Sequence, residues 1–215
     1  IEARYPETFA KMQNIVEKNN GSFVYVDHHQ SHAANAFYSS NFDKALIMTI
    51  DGGGLDTVTE NGEKKDIIAT ITFWKGEGTK ITPLAYITED KINLGTLWNR
   101  CTMHVFGLSG GWPKGDQAGS VMAMGCMGDP AKYRPVFEKL QGRHVLANSQ
   151  NFEHLLELQE AADSEEAKFN IAASLQEFTE SAVHKILAKF KDTVDTDNLC
   201  IAGGVSLNSV MTGKM

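Results

Sequence analysis

The sequence predicts an α/β domain in which a mixed sheet is flanked by helices. Three strand-forming runs, at residues 45–50, 67–74 and 81–88, follow one another with only turn signals between them. Helical patterns then occupy most of residues 93–194, and an apolar run at 198–202 returns a strand after the helices. Antiparallel hairpins followed by a strand reached through helices make the sheet mixed.

Each element has a local cause. Pro6 and Glu7 suit a helix start, and Phe9, Met12, Ile15 and Val16 carry helical spacing before Asn19-Asn20-Gly21 ends it. Residues 22–26 alternate and are rich in strand formers, which predicts a strand. Asp27 is then placed to cap a helix whose packing face is Ala33, Ala34, Ala36 and Phe37. Asn61-Gly62 predicts a hairpin turn, and Gly76-Glu77-Gly78 a second reversal. Residues 93–106 read as a helix with Leu94, Leu97, Trp98, Cys101 and Val105 on one side. A glycine-rich loop spans 107–119, and helices are expected at 117–127, 130–140, 152–162 and 164–194. Gly203-Gly204 turns the last strand into a closing helix that begins at Val205. The expected boundary lies near 41–44. The preceding helix, strand and helix are too few to hold a core alone and should pack on the following domain or on chain outside this sequence.

A formal net charge of −7 argues against a surface built for nucleic acid. Cys101, Cys126 and Cys200 are widely spaced and form no CxxC pair, which suits a reducing compartment. No stretch approaches the roughly 20 apolar residues that cross a bilayer, so a cytoplasmic protein is expected. The chain starts at Ile1 without an initiator methionine, and its last residues resemble a helix just begun. Both features read as a piece of a longer protein.

The chemistry concentrates in two places. His28 and His32 stand four apart, about one helical turn, so a helix over 28–40 puts both imidazoles on one face, where they can hold a divalent metal. The competing account is a capped helix with two half-exposed histidines. Gly52, Gly53 and Gly54 follow Asp51 directly after the first strand, and a glycine turn there lets backbone amides approach a phosphate. A tight turn opening a hairpin is the plainer account. His29 points away from the pair and reads as structural, as do His104, His154 and His184. Cys126 has no basic neighbour in sequence to activate its thiol.

These blocks in their order resemble the NodU/CmcH carbamoyltransferase family: Asp27-His28-His29-Gln30-Ser31-His32-Ala33-Ala34; Thr49-Ile50-Asp51-Gly52-Gly53-Gly54; Asn93-Leu94-Gly95; Met124-Gly125; Ile171-Ala172-Ala173-Ser174-Leu175-Gln176; and Asn198 through Gly203-Gly204-Val205 to Asn208. The resemblance spans nearly the whole chain. It implies an actin-like ATPase (ribonuclease H-like) fold, with residues 1–44 closing a first subdomain and 45–215 forming a truncated second one. It implies His28, His32 and Asp51 as ligands of Fe2+ or Zn2+, a fourth carboxylate ligand beyond Met215, and Gly52–Gly54 with Gly203, Gly204 and Asn208 at an ATP or carbamoyl-adenylate site. The expected activity is transfer of a carbamoyl group from carbamoyl-adenylate to a hydroxyl of a small metabolite or sugar. The adenylate would come from carbamoyl phosphate and ATP in a YrdC-like domain of the parent chain. Alternatives are a tRNA threonylcarbamoyl-transfer protein of the same fold and a noncatalytic nucleotide-binding module. One motif departs: Met122 stands where the family carries a lysine, and Cys126-Met127-Gly128-Asp129 replaces Leu-Ala-Pro-Tyr-Gly. A lost lysine removes a phosphate partner; Lys114 in the preceding loop could supply a charge instead, and a solvated surface lysine is the plainer account of it.

Overall fold

A computed structural model describes residues 6–110, 115–140 and 153–215. Helices α1 (Pro6–Lys18) and α2 (His28–Tyr38) lead into β1 (Lys44–Glu60), β2 (Glu63–Glu77) and β3 (Lys80–Thr88). Helices α3 (Leu94–Arg100), α4 (Ala118–Gly125), α5 (Arg134–Leu140), α6 (Glu153–Ala161) and α7 (Glu165–Leu187) follow, then β4 (Leu199–Ala202) and a short α8 (Ser209–Thr212). Among the described residues the strand order is β3-β2-β1-β4. The pairs β1–β2 and β2–β3 are antiparallel, while β4 lies parallel to β1 with Leu46 opposite Leu199 and Thr49 opposite Ala202. The expected mixed sheet flanked by helices is present.

The hairpin signal held. Glu60 pairs with Glu63, and both turn residues have positive φ, 53° at Asn61 and 85° at Gly62, which only a turn of the mirror-image type demands. The run from Ala45 to Ile50 is buried on both faces because helices cover both. Leu46, Met48 and Ile50 face the larger core with Leu94, Leu97, Phe137, Ile171 and Leu175. Ala45 and Ile47 face a smaller one built by Ala33 and Phe37 of α2 with Trp74 and Cys200. An unbroken apolar strand is what two covered faces require. Thus α2 packs on the sheet that follows it, one of the two expected outcomes for that segment.

Several expectations need correction. Residues 22–26 form no strand. A strand exists only through a ladder, and no described strand pairs with them; Phe23 and Tyr25 instead cluster with Phe9. Gly52, Gly53 and Gly54 do not make a turn. They lie inside β1, which runs on to Glu60, and the register shifts between Ile50 and Gly54 as a bulge. The helix expected through Phe106 passes into a π-helical turn at Cys101–Val105. The expected closing helix is a 3₁₀ turn, Gly204–Leu207, followed by the four-residue α8. So short a helix has little dipole to offer an anion. Asp27 occupies the cap position of α2, yet its side chain makes no capping bond and accepts from the Thr57 amide at 3.1 Å. Among the described residues, no helix is long and apolar enough to cross a membrane. Lys114 lies outside the described residues, as does the side chain of His154.

Candidate metal centre and adjoining cleft

The two ends of the site come from different elements. β1 delivers Asp51 at the point where its ladder with β2 breaks, so the carboxylate leaves the strand on the side of α2. The helical turn between His28 and His32 aims both imidazoles there. His28 Nε2 lies 3.1 Å and His32 Nε2 2.9 Å from the same oxygen, Asp51 Oδ2. The three donor atoms all fall within 4.8 Å of one another, a grouping that metal ions occupy. Ligands at about 2.1 Å around a tetrahedral ion stand about 3.4 Å apart, so small side-chain movements suffice. Two imidazoles and a carboxylate suit Fe2+ or Zn2+ by donor chemistry, and the residues present fit such an ion.

Burial alone would raise the Asp51 carboxyl. The Gly52 amide, donating at 2.7 Å, and hydrogen bonds from His28 and His32 outweigh it and hold the group below its ordinary 3.8. An ionised carboxylate only accepts, so each facing Nε2 carries a proton when no metal is bound. Metal entry must displace those protons, and affinity will fall as pH falls. The depressed value also fixes a stability window. Asp51 contributes fully above its unfolded value and loses that contribution as pH drops through the lower folded one. Urea midpoints of wild type and Asp51→Asn should therefore converge as pH falls below the ordinary carboxylate value and Asp51 becomes protonated. A gap that persists undiminished in strong acid would contradict this assignment.

Glycines shape the site by letting chains touch. A Cβ on Gly54 would sit 2.1 Å from His28 Cδ2 and 2.2 Å from its Cγ. Gly54→Ala should push the half-exposed His28 ring out of line, weakening metal binding by about tenfold to a hundredfold. A wild-type affinity in that variant, by calorimetry, would refute the steric account. A Cβ on Gly204 would come within 3.0 Å of Asp51 Oδ1, so this residue too is a spacer against the carboxylate.

The expected phosphate contacts are distributed differently. Gly52 N–H is taken by Asp51, and its carbonyl accepts from Asn93 Nδ2 at 2.9 Å. Asn208 caps α8 by accepting from the Met211 amide, and its amide group is paired with Gln176 in both directions, at 2.7 and 3.1 Å. Gly204 and Asn208 nevertheless line a cleft of about 500 Å³ with Asp51, Gly52, Trp98 and Met122. Its described lining carries the carboxylates of Asp51 and Asp116 and no cationic side chain. Met122 is in that wall. A second cavity of about 680 Å³ runs from His32 along Gly203 and Gly204.

Gly53 sits in the bulge with φ 137°. His29 does not join the donor group: it is fully buried and bonded to Asp56. His184 is exposed near the end of α7, against a structural role in the interior. Burial pushes the Cys101 thiol up to about 12, which leaves it unreactive. Sequence reasoning missed Trp98 and Asp116 as cleft residues and Asp56 as the partner of α2. Trp98 reads in the sequence only as part of the apolar side of its helix, and no spacing signal marks Asp56 or Asp116.

The family model described as carbamoyltransferase N-terminus matches residues 2–215. Nodulation protein NolNO of Sinorhizobium fredii is 29% identical over 203 residues, covering 89% of this chain and 27% of that protein. Nodulation protein NolO of Bradyrhizobium diazoefficiens is 27% identical over 202 residues, covering 88% of this chain and 33% of the relative. Protein sll1178 of Synechocystis is 25% identical over 230 residues, covering 97% and 34% respectively. The chain spans about a third of the length of these relatives.

Proposed function

The chain belongs to the carbamoyltransferase N-terminus family, and from that premise we propose that it carries the metal and nucleotide contacts of an ATP-dependent O-carbamoyltransferase. The observation that carries this reading is the convergence of His28, His32 and Asp51 on one point at the edge of a ligand-sized cleft. The reaction would pass a carbamoyl group from carbamoyl-adenylate to a hydroxyl of a small metabolite or sugar. The acceptor oxygen bonds to the carbamoyl carbon and gives up its proton to water, that carbon's bond to the adenylate phosphate oxygen breaks with its electron pair staying on the phosphate, and AMP leaves. A YrdC-like domain elsewhere in the parent chain would make the adenylate from carbamoyl phosphate and ATP. In this reading residues 1–44 close one actin-like subdomain and 45–215 begin the second.

His28, His32 and Asp51 would hold Fe2+ or Zn2+. Such an ion, when bound, supplies positive charge that polarises carbamoyl and phosphate oxygens. The chain's own residues position and enclose. Trp98 and Met122 give the cleft apolar wall, and Gly204 keeps the wall thin beside Asp51. The described cleft lining offers two carboxylates and no cation, so an adenylate phosphate needs positive charge from the metal or from residues outside it.

That same wall, with Met122 in place of a lysine, favours a second reading: a nucleotide-binding module without catalysis. The full-length protein, supplied with ATP, carbamoyl phosphate and Fe2+, separates the two. Pyrophosphate release that depends on carbamoyl phosphate, followed by AMP release that depends on a hydroxyl acceptor, supports the transferase. Nucleotide binding without either product supports the module.

A further inference from the structure

The first turn of α2 and the second half of β1 exchange carboxylates. Asp27, by position the cap of α2, sends its side chain to the Thr57 amide of β1 at 3.1 Å. Asp56 of β1 returns the favour: its Oδ1 accepts the His29 amide at 2.9 Å, doing for the helix end what the cap residue does not. Its Oδ2 also meets His29 Nδ1 at 2.6 Å. Both His29 and Asp56 are wholly excluded from solvent, whereas His28 and His32 are partly exposed. The other ring nitrogen, His29 Nε2, is buried with no partner among the described residues, so the bonded function of this ring resides at Nδ1.

The location gives this pair its meaning. Asp51 lies within the bulge between Ile50 and Gly54, and Asp56 lies beyond it on the same strand. Asp51 receives His28 and His32 at the bulge, while Asp56 grips His29 just beyond it, where regular pairing has resumed. Two imidazoles one turn apart reach a single carboxylate oxygen only if the helix has one axial place and one rotation against the strand. A bulge is a poor ruler for that; a buried two-point bond on the regular part of the strand is a good one.

We infer that Asp56 and His29 are positioning residues for the metal centre, setting α2 so that His28 and His32 converge on Asp51. This rests on the metal reading above. Neither residue touches the ion; both act through the ligands.

Co2+ serves as the probe, because its visible spectrum reports ligand geometry and its titration reports affinity. Wild type should bind one Co2+ with a spectrum characteristic of nitrogen and oxygen donors. His29→Leu, which loses the Nδ1 hydrogen bond, should bind about tenfold to a hundredfold more weakly and with an altered spectrum. His29→Asn, whose amide can donate from nearly the Nδ1 place, should recover affinity to within about threefold and restore the spectrum. Melting curves without metal are recorded for each. If His29→Leu does not fold, Asp56→Asn takes its part: it keeps the shape but sets an amide against Nδ1, and weaker Co2+ binding is expected.

Wild-type affinity and spectrum in the variant that breaks the pair would overturn the inference while leaving the metal site standing. So would a His29→Asn protein that melts like wild type yet binds as weakly as His29→Leu. Failure of wild type itself to bind Co2+ would remove the metal reading, and this inference with it.

Discussion

Asp51→Ala should all but abolish divalent-metal binding, with affinity falling by more than about a hundredfold, since even residues that only support a ligand commonly account for tenfold to a hundredfold. Asp51 Oδ2 is the atom on which both imidazoles converge, and the carboxylate supplies the anionic donor of the group. Without it two imidazoles remain, one turn apart on a half-exposed helix face. The fold should survive, because His28 and His32 are exposed enough for water to satisfy them. The Gly52 amide loses its acceptor, a cost of about 1 kcal/mol. Calorimetry with Zn2+ beside a melting curve checks both halves. Undiminished binding in a folded Asp51→Ala protein would put the ion elsewhere.

Gly203→Ala should strongly destabilise the fold. Gly203 leaves β4 with φ 100°, and a Cβ there would lie 2.3 Å from the Ile50 carbonyl oxygen and 2.8 Å from its carbon. The obstacle is backbone of β1, which at Ile50 pairs with Ile71 of β2 and over the residues just before it pairs with β4, so it cannot swing aside as a side chain would. Backbone strain alone costs about 1–3 kcal/mol. With the clash added, melting should fall by at least about 5–10 °C for a chain of this size. Gly62→Ala is the control, since its φ is also positive but a Cβ there meets nothing within 4 Å. It should bear only the strain. Equal melting temperatures for the two variants would show that contact with Ile50 is not what excludes a side chain at 203.

The comparison between sequence and structure follows from which forces are local. The hairpin at Asn61-Gly62 was readable because two residues fix its geometry. The helix bearing His28 and His32 was readable because its spacing and packing face lie within eleven residues. So was the long α7, opened by Ser164 accepting from the Ala167 amide. Asp51 was placed with the histidines by family resemblance, and the coordinates bring the three within bonding reach of one ion. The triple glycine misled. Its composition says turn, but β2 continues alongside it, and pairing with a neighbouring strand overrides a local preference. Residues 22–26 failed for the opposite reason: strand propensity without a described partner makes no strand. Asp56 was invisible, because nothing in a sequence reveals which amide a buried carboxylate will meet across a bulge.

The position of a bound metal defines this site. Crystals grown with Zn2+ and measured at the zinc absorption edge give the most direct test. The expected result is an anomalous peak bonded to His28 Nε2, His32 Nε2 and an oxygen of Asp51, each at about 2.0–2.2 Å. A well-occupied peak at other side chains, with these three still hydrogen-bonded only to one another, would contradict it.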